Sequence, residues 1–342
     1  MSEIVLGIGS SHTPLLALNP NEWTQRANDD YKNPQLNLSD GRFLSYEQLL
    51  AEVGPKYAKD ATFENFSRHD IQAQRALDRL ADEIERAAPD IAVVIGDDQG
   101  ELFKQTNMPA FAIFYGDEIV MHPILEHMSN PPGWLKTAVT GYAMDSAHHF
   151  PGAPDFALQL VGKLMDRGVD VCGAAKVEDP ANAGFGHAFG FVIQRLFRGR
   201  RIPVVPVLLN TYFPPNVVRP SRAYDIGQLL GEAIREIGGK ARVVIISSGG
   251  LSHFVTDEAL DRNVLEALRT RNAAALRAIP MAALNSGSSE ILCWIMAAGA
   301  LDELDNVWTQ YVPVYRTPAG SGIGLAFAAW RKEQEGRQLR KG

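Results

Sequence analysis

Apolar residues fall along this chain in two alternating rhythms. Five short runs of β-branched and aromatic residues end in turn residues: "EIVLGIG" (3–9), "DIAVVIG" (90–96), "FAIFYG" (111–116), "RIPVVPVLLN" (201–210) and "ARVVIISSGG" (241–250). Their nearly unbroken apolar character, with no solvated face, predicts buried strands. Between them the apolar spacing shifts to three and four residues. Segment 64–88, with Ile71, Leu77, Leu80 and Ile84, predicts a helix, as do 156–167, 186–197, 222–237 and 258–277. Strand and helix alternate, so the expected fold class is α/β: a single-domain layered sheet flanked by helices. Two stretches break the rhythm. Residues 18–62 are polar, with little periodicity outside 44–53, and read as a long N-terminal insertion; 117–155, rich in Pro, Met and His, reads as a second. Segments of that length usually serve as lids or partner surfaces. Neither has the composition of a flexible linker, so residues 1–342 are expected to form one domain.

Composition narrows the function classes. With 342 residues, 46% of them hydrophobic and 21% charged, the chain is long enough for a sizeable core. A formal charge of −7, a pI near 5.7 and no basic stripe argue against nucleic acid as a partner. Cys172 and Cys293 stand far apart without metal-type spacing, which fits a reducing cytoplasm. No basic region precedes the first apolar run, and no apolar segment approaches the roughly 20 residues that span a bilayer. Neither export nor membrane insertion is expected.

In open α/β sheets, ligands gather at the carboxyl ends of the strands. Polar residues cluster at those places here: "SSH" after the first strand, "DDQ" (97–99) after the second, "NTYF" (210–213) and "SSGGLSH" (247–253) after later ones. His12, Asp97, Asp98, Gln99 and His253 are therefore expected on one rim. "GIGSSH" opens like a dinucleotide-binding fingerprint, but His12 occupies the third glycine position. A lone histidine after a strand is ordinarily half-buried and satisfied. His253 recurs in the same kind of place, however, after two glycines that permit close backbone approach. Glu290 begins the apolar segment 290–301, and the ordinary reading is a first-turn glutamate beside capping Ser286, Ser288 or Ser289. A carboxylate leading so apolar a run is expected to be partly buried, and then it needs a cation or a proton. His187, at a helix start, serves equally as a core, capping or functional residue. His122, His127, His148 and His149 read as surface residues. His69 begins a helix antiparallel to its strand, which returns it to the His12 rim.

"GIGSSHTPLL", "VVIGDDQGELF", "GFGHAFGFVIQRL", "SSGGLSHF" and "SSEILCWIMAAGAL" occur in an order and at separations that resemble the class III extradiol ring-cleavage dioxygenases, the superfamily of the protocatechuate 4,5-dioxygenase β subunit. The resemblance implies a non-haem Fe(II) held by two histidines and a glutamate, open to a catecholate and to dioxygen. It implies that His12 is the first histidine ligand, Glu290 the glutamate, His253 the acid/base histidine and His187 a second active-site histidine that hydrogen-bonds substrate. The family's Asn-Asp-His, whose histidine is the second ligand, is replaced here by Asp97, Asp98 and Gln99. An amide oxygen is a poorer iron donor than imidazole. Gln99, a carboxylate of Asp97 or Asp98, or His69 then fills the position.

The reading that follows is an Fe(II)-dependent extradiol dioxygenase acting on a vicinal-dihydroxy aromatic or heteroaromatic ring with O2. The 18–62 insertion would cover the pocket, in the place a separate small subunit takes in some relatives. Arg68, Lys104 and Arg219 are the cations considered for a substrate carboxylate, and a homodimer is the default assembly. Two other classes remain open: a metal-dependent hydrolase or lyase on the same scaffold, and a non-enzymatic binding relative.

Overall fold

The computed structural model describes residues 1–332 and is built on an eight-stranded sheet. Its strands in chain order are β1 (Glu3–Ser10), β2 (Ile91–Asp97), β3 (Phe111–Phe114), β4 (Cys172–Ala174), β5 (Val204–Leu209), β6 (Arg242–Ser248), β7 (Asp305–Tyr315) and β8 (Gly322–Arg331). In space they run β7-β8-β1-β6-β2-β5-β3-β4. The four central strands β1, β6, β2 and β5 are parallel, so their carboxyl ends share one edge. The β7–β8 hairpin adds antiparallel to β1. On the other side β3 runs against β5, and β4 runs parallel to β3.

The helices are α1 (Pro20–Asp30), α2 (Tyr46–Val53), α3 (Phe63–Ala87), α4 (Gly133–Gly141), α5 (Pro154–Asp166), α6 (His187–Phe191), α7 (Pro220–Glu236), α8 (Glu258–Arg269), α9 (Ala273–Arg277) and α10 (Ile291–Ala300). They cover both faces of the sheet. Val93, Ile95, Val243 and Ile245 point into one apolar layer with Leu160 of α5, Leu230 and Ile234 of α7, and Trp294 of α10. Ala92, Val94, Val244 and Ile246 point the other way, onto Leu77 and Leu80 of α3 and Phe189 of α6. Burial on both faces explains why these strands read as continuous apolar runs. The expected layered α/β sheet is thus the fold observed.

The departures have local causes. Segment 258–277 is two helices, broken at Arg271, whose φ is +53°, with the Asn272 side chain capping the second by accepting from Ala275 N. In α3 the buried stripe is Phe66, Ala73, Ala76, Leu77, Leu80 and Ile84, whereas Ile71 is 51% exposed. At 3.6 residues per turn Ile71 lies about 120° around the helix from Leu77. The β7–β8 hairpin carries no strong strand signal, since β7 mixes polar residues with Pro313 and β8 is rich in Ala and Gly. Insertion 18–62 contains α1, α2 and a short strand pair, Leu36–Asn37 with Phe43–Leu44; 117–155 contains α4 and the pair Glu118–Val120 with His149–Pro151. Among the described residues no helix is long and apolar enough to cross a membrane.

Candidate metal centre

The carboxyl ends of the parallel strands converge on a buried group of side chains. Just beyond β1, Ser11 is tied to Ala326 of β8 through its N–H and its Oγ, and the Tyr142 hydroxyl donates to the His12 carbonyl, so His12 has a fixed backbone. Its ring is fixed as well. His12 Nδ1 lies 2.9 Å from Ser248 Oγ, whose own hydrogen goes to the Ala188 carbonyl at 2.6 Å. That oxygen is left to accept, so Nδ1 carries the proton and Nε2 presents a lone pair. The lone pair faces carboxylates: Nε2 is 3.3 Å from Glu290 Oε2 and 4.0 Å from Asp97 Oδ1.

Glu290 ends a 3₁₀ turn (Ser286–Glu290) that leads into α10. Its Oε2 accepts from Gly250 N at 2.6 Å and its Oε1 lies 3.3 Å from His253 Nε2. The glycine pair 249–250 therefore admits a carboxylate of this chain: a Cβ on Gly249 would press on Glu290 at 3.1 Å. Trp294, one turn into α10, donates its indole N–H to Gly249 O at 2.8 Å and packs where a Cβ on Gly9 would stand. Burial disfavours ionisation of Glu290, but positive charge on the His12 and His253 rings would hold its carboxyl well below the usual range.

His253 is oriented by a hydrogen bond from Nδ1 to the Leu251 carbonyl at 2.8 Å, which turns Nε2 toward Glu290. Its main chain is clamped independently of the ring. Asn37, from the first insertion, donates to His253 O and accepts from Phe254 N, both at 2.8 Å, and Ser288 Oγ bonds His253 N and O. Behind this loop, Asp261 of α8 accepts from Ser252 N, Ser252 Oγ and the Tyr311 hydroxyl. A Cβ at Gly324 would stand 1.9 Å from Asp261 Oδ2, so that glycine is required for the closure.

Burial pushes the Asp261 carboxyl up to about 6, against the pull of its three donors. A raised carboxyl pKa means that the folded state binds the proton more tightly than the unfolded chain. The associated stability is then full below about pH 4 and is lost as pH rises through about 6. A shift of this size corresponds to roughly 3 kcal/mol. Asp261→Asn is expected to remove this slope, so the difference in unfolding free energy between variant and parent should grow in the variant's favour from pH 4 to 7. Denaturant melts across that range check it, and parallel pH profiles would refute it.

Asp97 is the last residue of β2 and is buried on all sides. Its Oδ2 accepts from the Gln99 amide nitrogen at 2.9 Å, while its Oδ1 has no hydrogen-bond partner; neither does His12 Nε2. Burial, and then the Glu290 charge, push the Asp97 carboxyl upward. The neighbouring Asp98 is spent elsewhere, accepting the backbone N–H groups of Gly100, Glu101, Leu102 and Phe103. His187, at the start of α6, pairs with Glu101 through Nδ1 at 2.9 Å. Desolvation opposes its charge, but Glu101, with Asp97 and Glu290 beyond, carries His187 up to about 9.

Ligand atoms of His12, Asp97, His187 and Glu290 all lie within 4.8 Å of one another. The imidazole of His12 and the carboxylates of Asp97 and Glu290 suit a first-row divalent ion, whose adjacent ligands sit about 3 Å apart at bond lengths near 2.1 Å. The two orphaned buried atoms, His12 Nε2 and Asp97 Oδ1, are what such an ion would satisfy, so the residues fit a metal. The cluster borders a cavity of about 450 Å³ whose walls include Tyr142, Trp134, Phe254 and Ile323.

Residues 67–326 match the family described as the catalytic LigB subunit of aromatic ring-opening dioxygenase. The chain belongs to the LigB family. Among curated proteins it is similar to the 2,3-dihydroxyphenylpropionate/2,3-dihydroxicinnamic acid 1,2-dioxygenases of Comamonas testosteroni (25% identical over 54% of this chain and 49% of the relative) and Cupriavidus necator (26% over 53% and 49%). The Paraburkholderia xenovorans protein of the same description is 31% identical over 36% of this chain and 39% of the relative. The chain thus matches at most about half the length of these relatives.

Within this LigB-family site, His12, His253, Glu290, His187 and Gln99 all line the cavity. His69 does not. It lies two turns into α3, outside the cluster and the cavity, where burial and Arg68 lower its pKa. Gln99 donates its amide N–H to Asp97 Oδ2, the posture of a donor that orients Asp97, and that nitrogen lies 3.4 Å from His187 Nε2. His122, read as a surface residue, lines the cavity with its Nδ1 buried and unpartnered. The three cations considered for substrate also miss: Arg68, Lys104 and Arg219 are not in the cavity wall, whereas Arg26 and Arg316 are.

Proposed function

We propose that this LigB-family chain is a ferrous, extradiol ring-cleaving dioxygenase for vicinal aromatic diols. The observation that carries this reading is the pair of orphaned atoms, His12 Nε2 and Asp97 Oδ1, facing Glu290 at the wall of an aromatic-lined cavity. His12, Asp97 and Glu290 would hold the ion, with Asp97 standing where the resemblance leads one to expect a histidine. When bound, the ion supplies Lewis acidity toward the diol oxygens and electron-transfer chemistry toward dioxygen.

The chain's own groups do the rest. His253 has its Nδ1–H committed to Leu251 O, so Nε2 is the atom that takes a proton from a substrate hydroxyl and returns it as the ring opens. His187, kept positive by Glu101, is a donor for a diol oxygen. Tyr142, Trp134 and Phe254 exclude water and stack beside the ring. Cleavage is proposed between a hydroxylated carbon and its unhydroxylated neighbour.

The test is oxygen-electrode screening of anaerobically Fe(II)-reconstituted protein against catechols, gallates and dihydroxypyridines. A ring-fission chromophore with one O2 consumed per substrate is the expected result. Turnover under argon would overturn the reading in favour of a hydrolase or lyase.

A further inference from the structure

The first insertion brings a cation to the cavity that the metal cluster does not use. Arg26 of α1 and Arg316, which follows β7, both line the wall, and both approach Asp30, the last residue of α1. Asp30 is fully buried and saturated. Its Oδ2 accepts from Arg316 Nε at 2.7 Å and from Ser321 Oγ at 2.8 Å, and its Oδ1 from Arg316 Nη2 at 3.1 Å and Arg26 Nη1 at 3.2 Å. Arg316 holds the carboxylate in a two-pronged grip, so Asp30 neutralises Arg316 first.

Arg26 is left in surplus. Among the described residues, only its Nη1 reaches acceptors: Asp30, and at 3.6 Å the half-exposed Asp29. Among the described residues nothing accepts from its Nε or Nη2, although the side chain is only 15% exposed. Its guanidinium lies 5.5 Å from the Trp134 ring and 5.7 Å from the Phe254 ring, both of them cavity walls, and Phe254 adjoins His253. The rings leave the planar fork little choice of orientation. Burial, and then repulsion from Arg316, make the Arg26 charge costly where it stands, and a bound anion offsets that cost.

We propose that Arg26 receives an anionic substituent of the substrate, so that the ring opened at the metal cluster is a carboxylated aromatic diol. The inference rests on the diol-dioxygenase reading above and adds the residue that selects a carboxylated diol over a neutral one. Arg26 thereby sets specificity, while the cluster around His12 and Glu290 takes the diol end. Two free N–H donors in one plane match a carboxylate in bidentate geometry.

The test is anaerobic calorimetric titration of the metal-loaded protein, so that binding is read without turnover. The probes are 3-(2,3-dihydroxyphenyl)propionate, 3,4-dihydroxybenzoate and the neutral 3-propylcatechol. The parent is expected to bind at least one carboxylated diol about 10- to 100-fold more tightly than the neutral one, the range of a charge-assisted hydrogen bond. In Arg26→Gln that ratio should fall to about one, and Arg26→Lys should restore part of it, with circular dichroism confirming that both variants fold. Equal affinities in the parent, or a preference retained in Arg26→Gln, overturn the Arg26 assignment and leave the diol reading standing. Failure of every diol to bind overturns the diol reading, and this inference with it.

Discussion

Asp97→Asn is expected to lose the metal and keep the fold. The substitution preserves shape and the contact with Gln99, but it replaces an ionised oxygen with a neutral amide in a buried site. We expect divalent-metal affinity to fall more than about 100-fold, beyond the 10- to 100-fold typical of losing a supporting residue. Gln99→Leu should fall within that smaller range, because Gln99 acts through its 2.9 Å bond to Asp97 Oδ2. The order of the two variants is the discriminating result. If Gln99 were the ligand, its loss would be the more damaging. Metal analysis after anaerobic reconstitution reads the effect directly. Thermal melts supply a second measure, since an ion at 100 times its dissociation constant stabilises the parent by about 2.7 kcal/mol and should stabilise Asp97→Asn hardly at all. The metal-free variant should melt no lower than the metal-free parent, because the asparagine leaves no second buried carboxylate beside Glu290.

His253→Ala should behave in the opposite way, retaining the metal and losing turnover. Its ring is pinned by Leu251 O with Nε2 toward Glu290, and the main chain around it is held by Asn37 and Ser288 whatever the side chain. The loop therefore survives truncation. Loss of a positioned acid/base group costs about 100- to 10,000-fold in kcat. Metal content equal to the parent with kcat down by that factor is the expected pair of readings. A kcat within about threefold of the parent would remove His253 from proton transfer, and a metal loss matching that of Asp97→Asn would make it a ligand.

The site residues that could be read from the chain share a signature: each stands where an apolar run meets polar residues. His12 follows β1, His253 follows β6 and Glu290 precedes α10. Backbone topology alone carries such residues to the carboxyl edge of a parallel sheet. His69 was misplaced because α3 starts at Phe63, which puts it about 9 Å along the axis from the helix start. Arg26 and Asn37 left no signal. They come from an insertion whose path over the sheet follows from burial of Trp23, Leu36 and the Asp30–Arg316 pair, contacts that join residues far apart in sequence.

By itself the amino-acid sequence determined the alternation of strands and helices, the two-faced burial of the sheet and the rim on which the polar residues gather, because these depend on short-range periodicity and on the chirality of parallel connections. Tertiary structure alone decided which of the two adjacent carboxylates faces His12. Asp97 and Asp98 are adjacent and chemically identical, yet one is consumed by four backbone N–H groups and the other keeps an oxygen free beside His12. It also decided that, among the described residues, the Nε and Nη2 of Arg26 are left without an acceptor at the cavity wall. Both outcomes turn on which polar atoms remain unsatisfied once everything else is paired, and that sum exists only in the folded molecule.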